Sequence, residues 1–217
     1  MTDTLKQYWT LRLSEVKNVL QENNFETWLA DSKEEASRIV MEEIIPSLKP
    51  KTISWGGSVT FTDSGLYDQL KNSSQFEIID TYEKDLPNDK KIERRRQALL
   101  TDLFFTGTNA VTDTGKLINL DMIGNRVAAL TFGPKNVVVL VGRNKMVSEV
   151  DDALLRIKNF AAPANVVRLG KKNPCLKSGY CEECQSKDRI CNIWTIHEKS
   201  FPKGRIKVIL INEDLGL

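Results

Sequence analysis

The sequence predicts an α/β fold with a largely parallel central sheet. Short β-forming runs alternate with stretches of helical periodicity along most of the chain. The run Val137–Val141 is apolar at every position, as expected of a strand buried on both faces. No internal repeat or low-complexity tract competes with this reading.

Leu5, Trp9, Leu13, Val16 and Leu20 recur at three- and four-residue steps and mark a long first helix, ended near Asn23-Asn24. Ser32, with Glu35 three residues on, forms a capping box. It opens a second helix through Ala36, Ile39, Val40 and Ile44, which Pro46 is expected to stop. Thr52–Trp55 reads as a strand closed by Gly56-Gly57, Asp63–Leu70 as a short helix, and Phe76–Ile79 as another strand. Lys91–Leu100 is helical, and Leu103–Phe105 is a strand ending at Gly107. Val111 and Leu117-Ile118 flank Asp113-Thr114-Gly115, a hairpin signal. Val127–Phe132 and Val137–Val141 read as two strands separated by Gly133-Pro134. Ser148 and Asp151 cap a helix carrying Val150, Ala153, Leu154, Ile157 and Ala161, and Arg205–Ile211 is a last strand.

The implied organisation is an α/β domain with N-terminal helices over residues 1–170. A cysteine-bearing subdomain follows at 171–204, then a returning C-terminal strand within 205–217. The middle piece is too poor in apolar residues to hold its own core.

Composition narrows the function classes. The chain has 217 residues, 41% hydrophobic and 28% charged, ordinary values for a soluble globular protein. Lys plus Arg number 31 against 29 Asp plus Glu, a net charge of +2, which argues against a nucleic-acid or membrane partner. The basic run Lys90–Arg96 reads as the solvated face of a helix. The charged N-terminus lacks the apolar core of a signal peptide, and no stretch approaches the ~20 apolar residues of a membrane span. A cytoplasmic location is the expectation.

All cysteines crowd into one segment, Cys175, Cys181, Cys184 and Cys191, spaced C-x5-C-x2-C-x6-C. Four thiolates so placed can wrap a tetrahedral zinc ion or a four-thiolate iron–sulfur cluster. Two disulfides or four free thiols are the other readings, and a reducing compartment disfavours disulfides. His197, the only histidine, can replace a thiolate but reads more simply as a surface or interface residue.

Two loops are candidate ligand sites. Gly56, Gly57, Ser58 and Thr60 directly follow a strand, where open α/β sheets bind ligands. Glycines admit close backbone approach, and the hydroxyls can donate to phosphate or carboxylate oxygens. The plain alternative is a strand-to-helix turn capped by Ser or Thr. Thr108, Asn109, Asn119, Asp121, Asn125 and Arg126 form a second dense polar set between apolar runs. Arg126 can clamp an anion bidentately and Asp121 can act as a general base. Here the plain alternative is a loop whose Asn and Asp side chains satisfy their own backbone.

Three ordered stretches carry a family resemblance: Trp55–Phe61 (WGGSVTF), Phe105–Asp121 (FTGTNAVTDTGKLINLD) and Gly124–Val137 (GNRVAALTFGPKNV), continued by Gly142–Lys145 (GRNK). They resemble the lactate-utilisation (LUD) domain family, formerly a domain of unknown function. The tail with Arg189-Ile190-Cys191-Asn192 resembles a subgroup bearing a C-terminal cysteine cluster. The resemblance implies a three-layer α/β sandwich similar to the isomerase and CoA-transferase superfamily, with ligands seated over the strand ends. It places the Gly56 loop and the Thr108–Arg126 set on opposite walls of one pocket. No Glu lies within Gly107–Gly133, which argues against covalent CoA transfer.

Two functions follow. One is an accessory or small-anion-binding subunit in lactate or organic-acid utilisation, with Asp121 as the catalytic candidate. Its partners would be a small anionic metabolite and the iron–sulfur subunits of a lactate-oxidising system. The other is an iron–sulfur or zinc-bearing electron-transfer or scaffold component. Exposed faces at Trp9 or Trp28 offer a homodimer contact.

Overall fold

A computed structural model describes residues 3–217. Among the described residues ten strands follow in order: β1 (Glu26–Ala30), β2 (Thr52–Trp55), β3 (Glu77–Ile79), β4 (Leu103–Gly107), β5 (Ala110–Thr112), β6 (Leu117–Asp121), β7 (Asn136–Gly142), β8 (Met146–Val147), β9 (Ile193–His197) and β10 (Ile206–Ile211). Six form a sheet in the order β1-β10-β7-β4-β2-β3, and every neighbouring pair in it is parallel. The other four form a smaller sheet, β8-β5-β6-β9.

The period-two alternation of strand side chains sorts the core into two layers. Trp55, Phe105, Val138, Leu140, Ile209 and Ile211 face one side and pack on Ala36, Ile39, Val40, Ile44, Phe61 and Leu66 of the helices between β1 and β3. Phe104, Val137, Val139, Val141, Val208 and Leu210 face the other side. There they meet Leu13, Val16 and Leu20 of the first helix (Asp3–Glu22), with Ala129 and Leu130. Helices therefore cover both faces of the sheet, a three-layer α/β sandwich. A third, smaller core joins the inner side of the second sheet (Ala110, Ile118, Leu120) to Ala153, Ile157 and Ala162 of the helical stretch 150–169.

Several expectations are corrected. Val127–Phe132 is not a strand: Asn125–Thr131 is a helix, entered through Gly124 at φ 94°. Its Ala128-Ala129-Leu130 centre favours helix, and the preceding left-handed glycine turns the chain out of the β6 direction. Pro46 does not end the second helical stretch. A π-turn at Val40–Ile44 precedes it, and Pro46 starts a fresh turn, Ile45–Leu48, where its missing N–H costs nothing. The helix expected over Asp63–Leu70 is two short ones, Val59–Asp63 and Leu66–Leu70. The expected Ser148 cap falls one residue later, where Glu149 and Asp152 make the capping box.

Three strands were not foreseen in the sequence: β1, the two-residue β8 and β9. Glu-Thr-Trp-Leu-Ala of β1 lacks a β-branched run, and its pairing with β10 alone places it at the sheet edge. Ile193–His197 lies inside the cysteine-bearing stretch, yet it pairs antiparallel with β6 as an integral part of the second sheet. Among the described residues no helix is long and apolar enough to cross a membrane.

Candidate functional site

The parallel strands all point their C-terminal ends the same way, and the loops leaving β2, β3, β4 and β7 meet there. Together with β6 and the helical stretch 150–169 they enclose a cavity of about 550 Å³, ample for a small metabolite. Its wall includes Gly57, Ser58, Thr108, Asn109, Asp121, Asn125 and Arg126, so both loops singled out in the sequence border one hollow. Gly56, Thr60 and Asn119 stand behind that wall rather than on it.

The Gly56 loop is built by its neighbours. Ser58 caps the Val59–Asp63 helix, its hydroxyl accepting from Phe61 N at 3.1 Å. The Tyr82 hydroxyl donates to the Gly56 carbonyl at 2.7 Å and accepts from Ser58 N–H at 3.1 Å. Burial pushes the Tyr82 phenol up to about 12, so it remains a neutral clamp. Gly107, at the end of β4, is required by close approach: a Cβ there would fall 2.6 Å from Ser58 Oγ.

Arg126 is the hub of the opposite wall. Its Nη1 donates to Asn119 Oδ1 at 2.9 Å and to the Gly107 carbonyl at 3.3 Å. Its Nη2 donates to Asn109 Oδ1 at 2.8 Å and to the Leu120 carbonyl at 2.9 Å, and Nε faces Asp121 Oδ1 at 3.6 Å. The guanidinium is thus spent on the protein and braces the wall; it has no donor fork left for a bidentate anion. Asp121 is engaged as well, accepting from Gly124 N–H at 3.1 Å and so fixing the turn into the following helix. Thr108 Oγ1 points back to the Ile118 and Ala110 carbonyls. Asn109 keeps its amide Nδ2, which finds no partner among the described residues, on the cavity wall.

The sequence reading passed over several wall residues. Arg95, from the basic run assigned to a solvated face, lines the cavity with no ion pair among the described residues. Arg168, held by Asn165 Oδ1 at 2.7 Å, and Lys171 add two more cations. Lys145 is buried, with Nζ donating to Thr60 Oγ1 at 2.7 Å and to the Thr108 carbonyl at 3.3 Å. Desolvation, reinforced by Arg156 and Arg126, pulls its ammonium down to about 7 from 10.5. The available signal was position: a basic residue three places beyond an uninterrupted apolar strand belongs at the ligand-binding edge. Asp121 is the one acidic side chain on this wall, against Arg95, Arg126, Lys145, Arg168 and Lys171.

The four cysteines are half-buried free thiols. Cys191 borders the cavity, and its thiol is pushed up to about 11, first by burial and then by the charges of Cys181, Cys175 and Cys184. Among the described residues no group of three or more His, Cys, Asp or Glu side chains is placed to hold a metal ion. His197 sits at the far end of β9 from Cys191, its Nε2 at 3.2 Å from Thr131 Oγ1.

The architecture is that of a three-layer α/β-sandwich domain with a basic cavity at the strand ends. The LUD domain profile matches residues 13–211, and the chain belongs to the LUD-domain family. Its fold is similar to the crystal structure of a DUF162-family protein from Deinococcus radiodurans. That likeness has a TM-score of 0.52 at 14% identity and covers 94% of this chain and 98% of that one. No curated protein matches the chain in sequence.

Two outcomes follow from this geometry. Arg126→Met should lower unfolding free energy by about 3 kcal/mol in a urea titration, because it strands buried acceptors on Asn109, Asn119, Gly107 and Leu120. An unchanged midpoint would mean the network is not a brace. For Lys145, the folded protein releases the proton near pH 7 while the unfolded chain keeps it to 10.5, so unfolding takes up a proton between those values and stability rises with pH there. Lys145→Met should therefore gain on the wild type at pH 6 and lose that advantage by pH 10. The swing should be on the order of 4 kcal/mol, read from urea midpoints across the series.

Proposed function

We propose that this protein is a cytoplasmic small-anion-binding subunit of organic-acid utilisation, acting beside the iron–sulfur components of a lactate-oxidising system. The observation that carries the reading is the basic lining of the cavity: Arg95, Arg168 and Lys171 border it beside the braced Arg126, and Asp121 is the one acidic side chain among the described lining residues. Lys171 also lies 3.9 Å from Asp188. Membership of the LUD-domain family supports the metabolic setting. Arg95, Arg168 and Lys171, with the free Asn109 amide, are the groups that bind the carboxylate or phosphate. Arg126 shapes the wall on which they act. Both Asp121 oxygens are engaged, Oδ2 by Gly124 N–H and Oδ1 by Arg126, so a proton taken from the bound ligand goes to a second lone pair on one of them.

Titration calorimetry against acetate, lactate, pyruvate and inorganic phosphate tests this. Arg95→Gln should weaken the anion that binds by about tenfold, roughly 1.4 kcal/mol, while the melting temperature stays within a degree or so. Failure of every anion to bind the wild type at millimolar concentration would defeat the proposal.

A second reading has the four cysteines carrying iron–sulfur or zinc, with the α/β body docking a redox partner. What favours it is the clustering of all four cysteines within residues 175–191. Metal analysis of protein prepared without oxygen tests it. Stoichiometric zinc or iron would support a metal-bearing role, and four titratable thiols with no bound metal would remove it.

A further inference from the structure

Lys145 is the least expected group in the cavity. It is 4% exposed and has no carboxylate within ion-pair distance among the described residues. Two guanidinium groups are nearby: Arg126, and Arg156, which is fixed by the Asn109 carbonyl at 2.9 Å and the Asn144 carbonyl at 3.1 Å. Asp63 on the helix after the Gly56 loop is the only acid acting on it, and the weakest of the influences. Burying a cation among cations costs stability, so its retention needs an explanation other than packing.

The hydrogen bonds suggest what the nitrogen is for. A neutral amine has two N–H donors and one lone pair. Two fixed acceptors, Thr60 Oγ1 at 2.7 Å and the Thr108 carbonyl at 3.3 Å, match the two donors. The Thr60 hydroxyl is itself oriented, donating to the Leu215 carbonyl at 3.3 Å, so its own lone pair faces Lys145. The tetrahedral direction that remains on Nζ carries the lone pair, and Lys145 borders the cavity. A desolvated amine held by two acceptors beside a basic cavity is the arrangement that attacks carbonyl carbon once it gives up its proton.

We propose that Lys145 forms an imine with a small aldehyde or ketone that also carries a carboxylate or phosphate, a class that includes 2-oxo acids. This rests on the anion-binding reading and adds the reacting group. The Nζ lone pair attacks the carbonyl carbon and forms the C–N bond. The two amine protons and the carbonyl oxygen leave together as water, and the C=N bond results. No oxidant or reductant is consumed. The anionic end of the ligand lies against Arg95 or Arg168, with the carbonyl directed at Nζ.

Reductive trapping tests it. The full-length protein is incubated with glyoxylate, pyruvate or glyceraldehyde 3-phosphate plus cyanoborohydride, then digested and mapped by mass spectrometry. The expected result is one adduct per chain, on the Lys145 peptide, whose mass increase equals the ligand less one oxygen atom (water lost, two hydrogens gained). Trapping should accelerate as pH rises through about 7. The carboxylate and phosphate probes separate the two kinds of anionic end. Lys145→Met should abolish the adduct yet still bind acetate or phosphate in the calorimeter. Modification confined to exposed lysines such as Lys187 and Lys203, with Lys145 untouched, overturns the proposal. Anion binding by the wild type without a Lys145 adduct removes the imine and leaves the anion-binding reading standing. Neither binding nor adduct removes both. Should Lys145→Met fail to fold, peptide mapping of the wild type decides alone.

Discussion

The burial of the Arg126 guanidinium is the constraint on which the cavity depends. A charged fork can leave water only when its donors are met, and here the acceptors come from separate pieces of chain. Gly107 ends β4 of the main sheet, Asn109 opens the connection to the second sheet, and Asn119, Leu120 and Asp121 belong to β6. One side chain therefore fixes the second sheet against the strand ends of the first. Asp121 completes the arrangement by holding Gly124 N–H, which sets the direction of the helix that carries Arg126 itself. The wall and the residue that braces it specify each other.

That same network leaves the cavity positive in a chain whose net charge is only +2. Most acceptors around Arg126 are neutral amide and peptide oxygens, and Arg156 and Arg168 are likewise held by carbonyl and amide oxygens. Such dipoles solvate a guanidinium without cancelling its charge. The field is thus focused into a hollow walled by protein, where it is stronger than the overall composition would suggest. Burial first, and the neighbouring Arg156 and Arg126 charges second, pull the Lys145 ammonium down to about 7.

The largely parallel sheet and its strands β2, β3, β4 and β7 were legible because periodicity speaks for both partners of a contact. Val137–Val141 could only be a strand covered on both sides, and its odd and even residues do enter different cores. Val127–Phe132 misled because a β-branched start and an aromatic end outweighed two alanines, and because the turn at Gly124 is a tertiary decision shared with Asp121. β1 and β9 were silent for another reason: they gain their hydrogen bonds from β10 and β6, far along the chain, and local sequence carries little trace of that. At the site, residue types pointed to the right hollow but not to the division of labour. Sequence cannot show that the Arg126 donors are consumed while Arg95, 31 residues earlier in a helix-forming basic run, faces the cavity.

The cysteine-bearing stretch also belongs to this picture by mechanics rather than by composition. Arg189 pins the loop with bonds to the Cys184 and Cys191 carbonyls, at 2.6 and 2.8 Å. Asn192 then bonds the Asp121 carbonyl through its backbone N–H and the Met122 carbonyl through its side chain, each at 3.0 Å. Ile190 and Cys191 border the cavity, and Cys191 packs on the small core beneath the second sheet. The chain enters β9 directly from these contacts, so the loop's position is transmitted along β9 to β6, which carries Asn119, Leu120 and Asp121. Arg189 and Asn192 thus tie the thiol-bearing loop to the strand that carries the acceptors of Arg126. The thiol-bearing loop and the basic cavity lie at the two ends of one hydrogen-bonded strand pair.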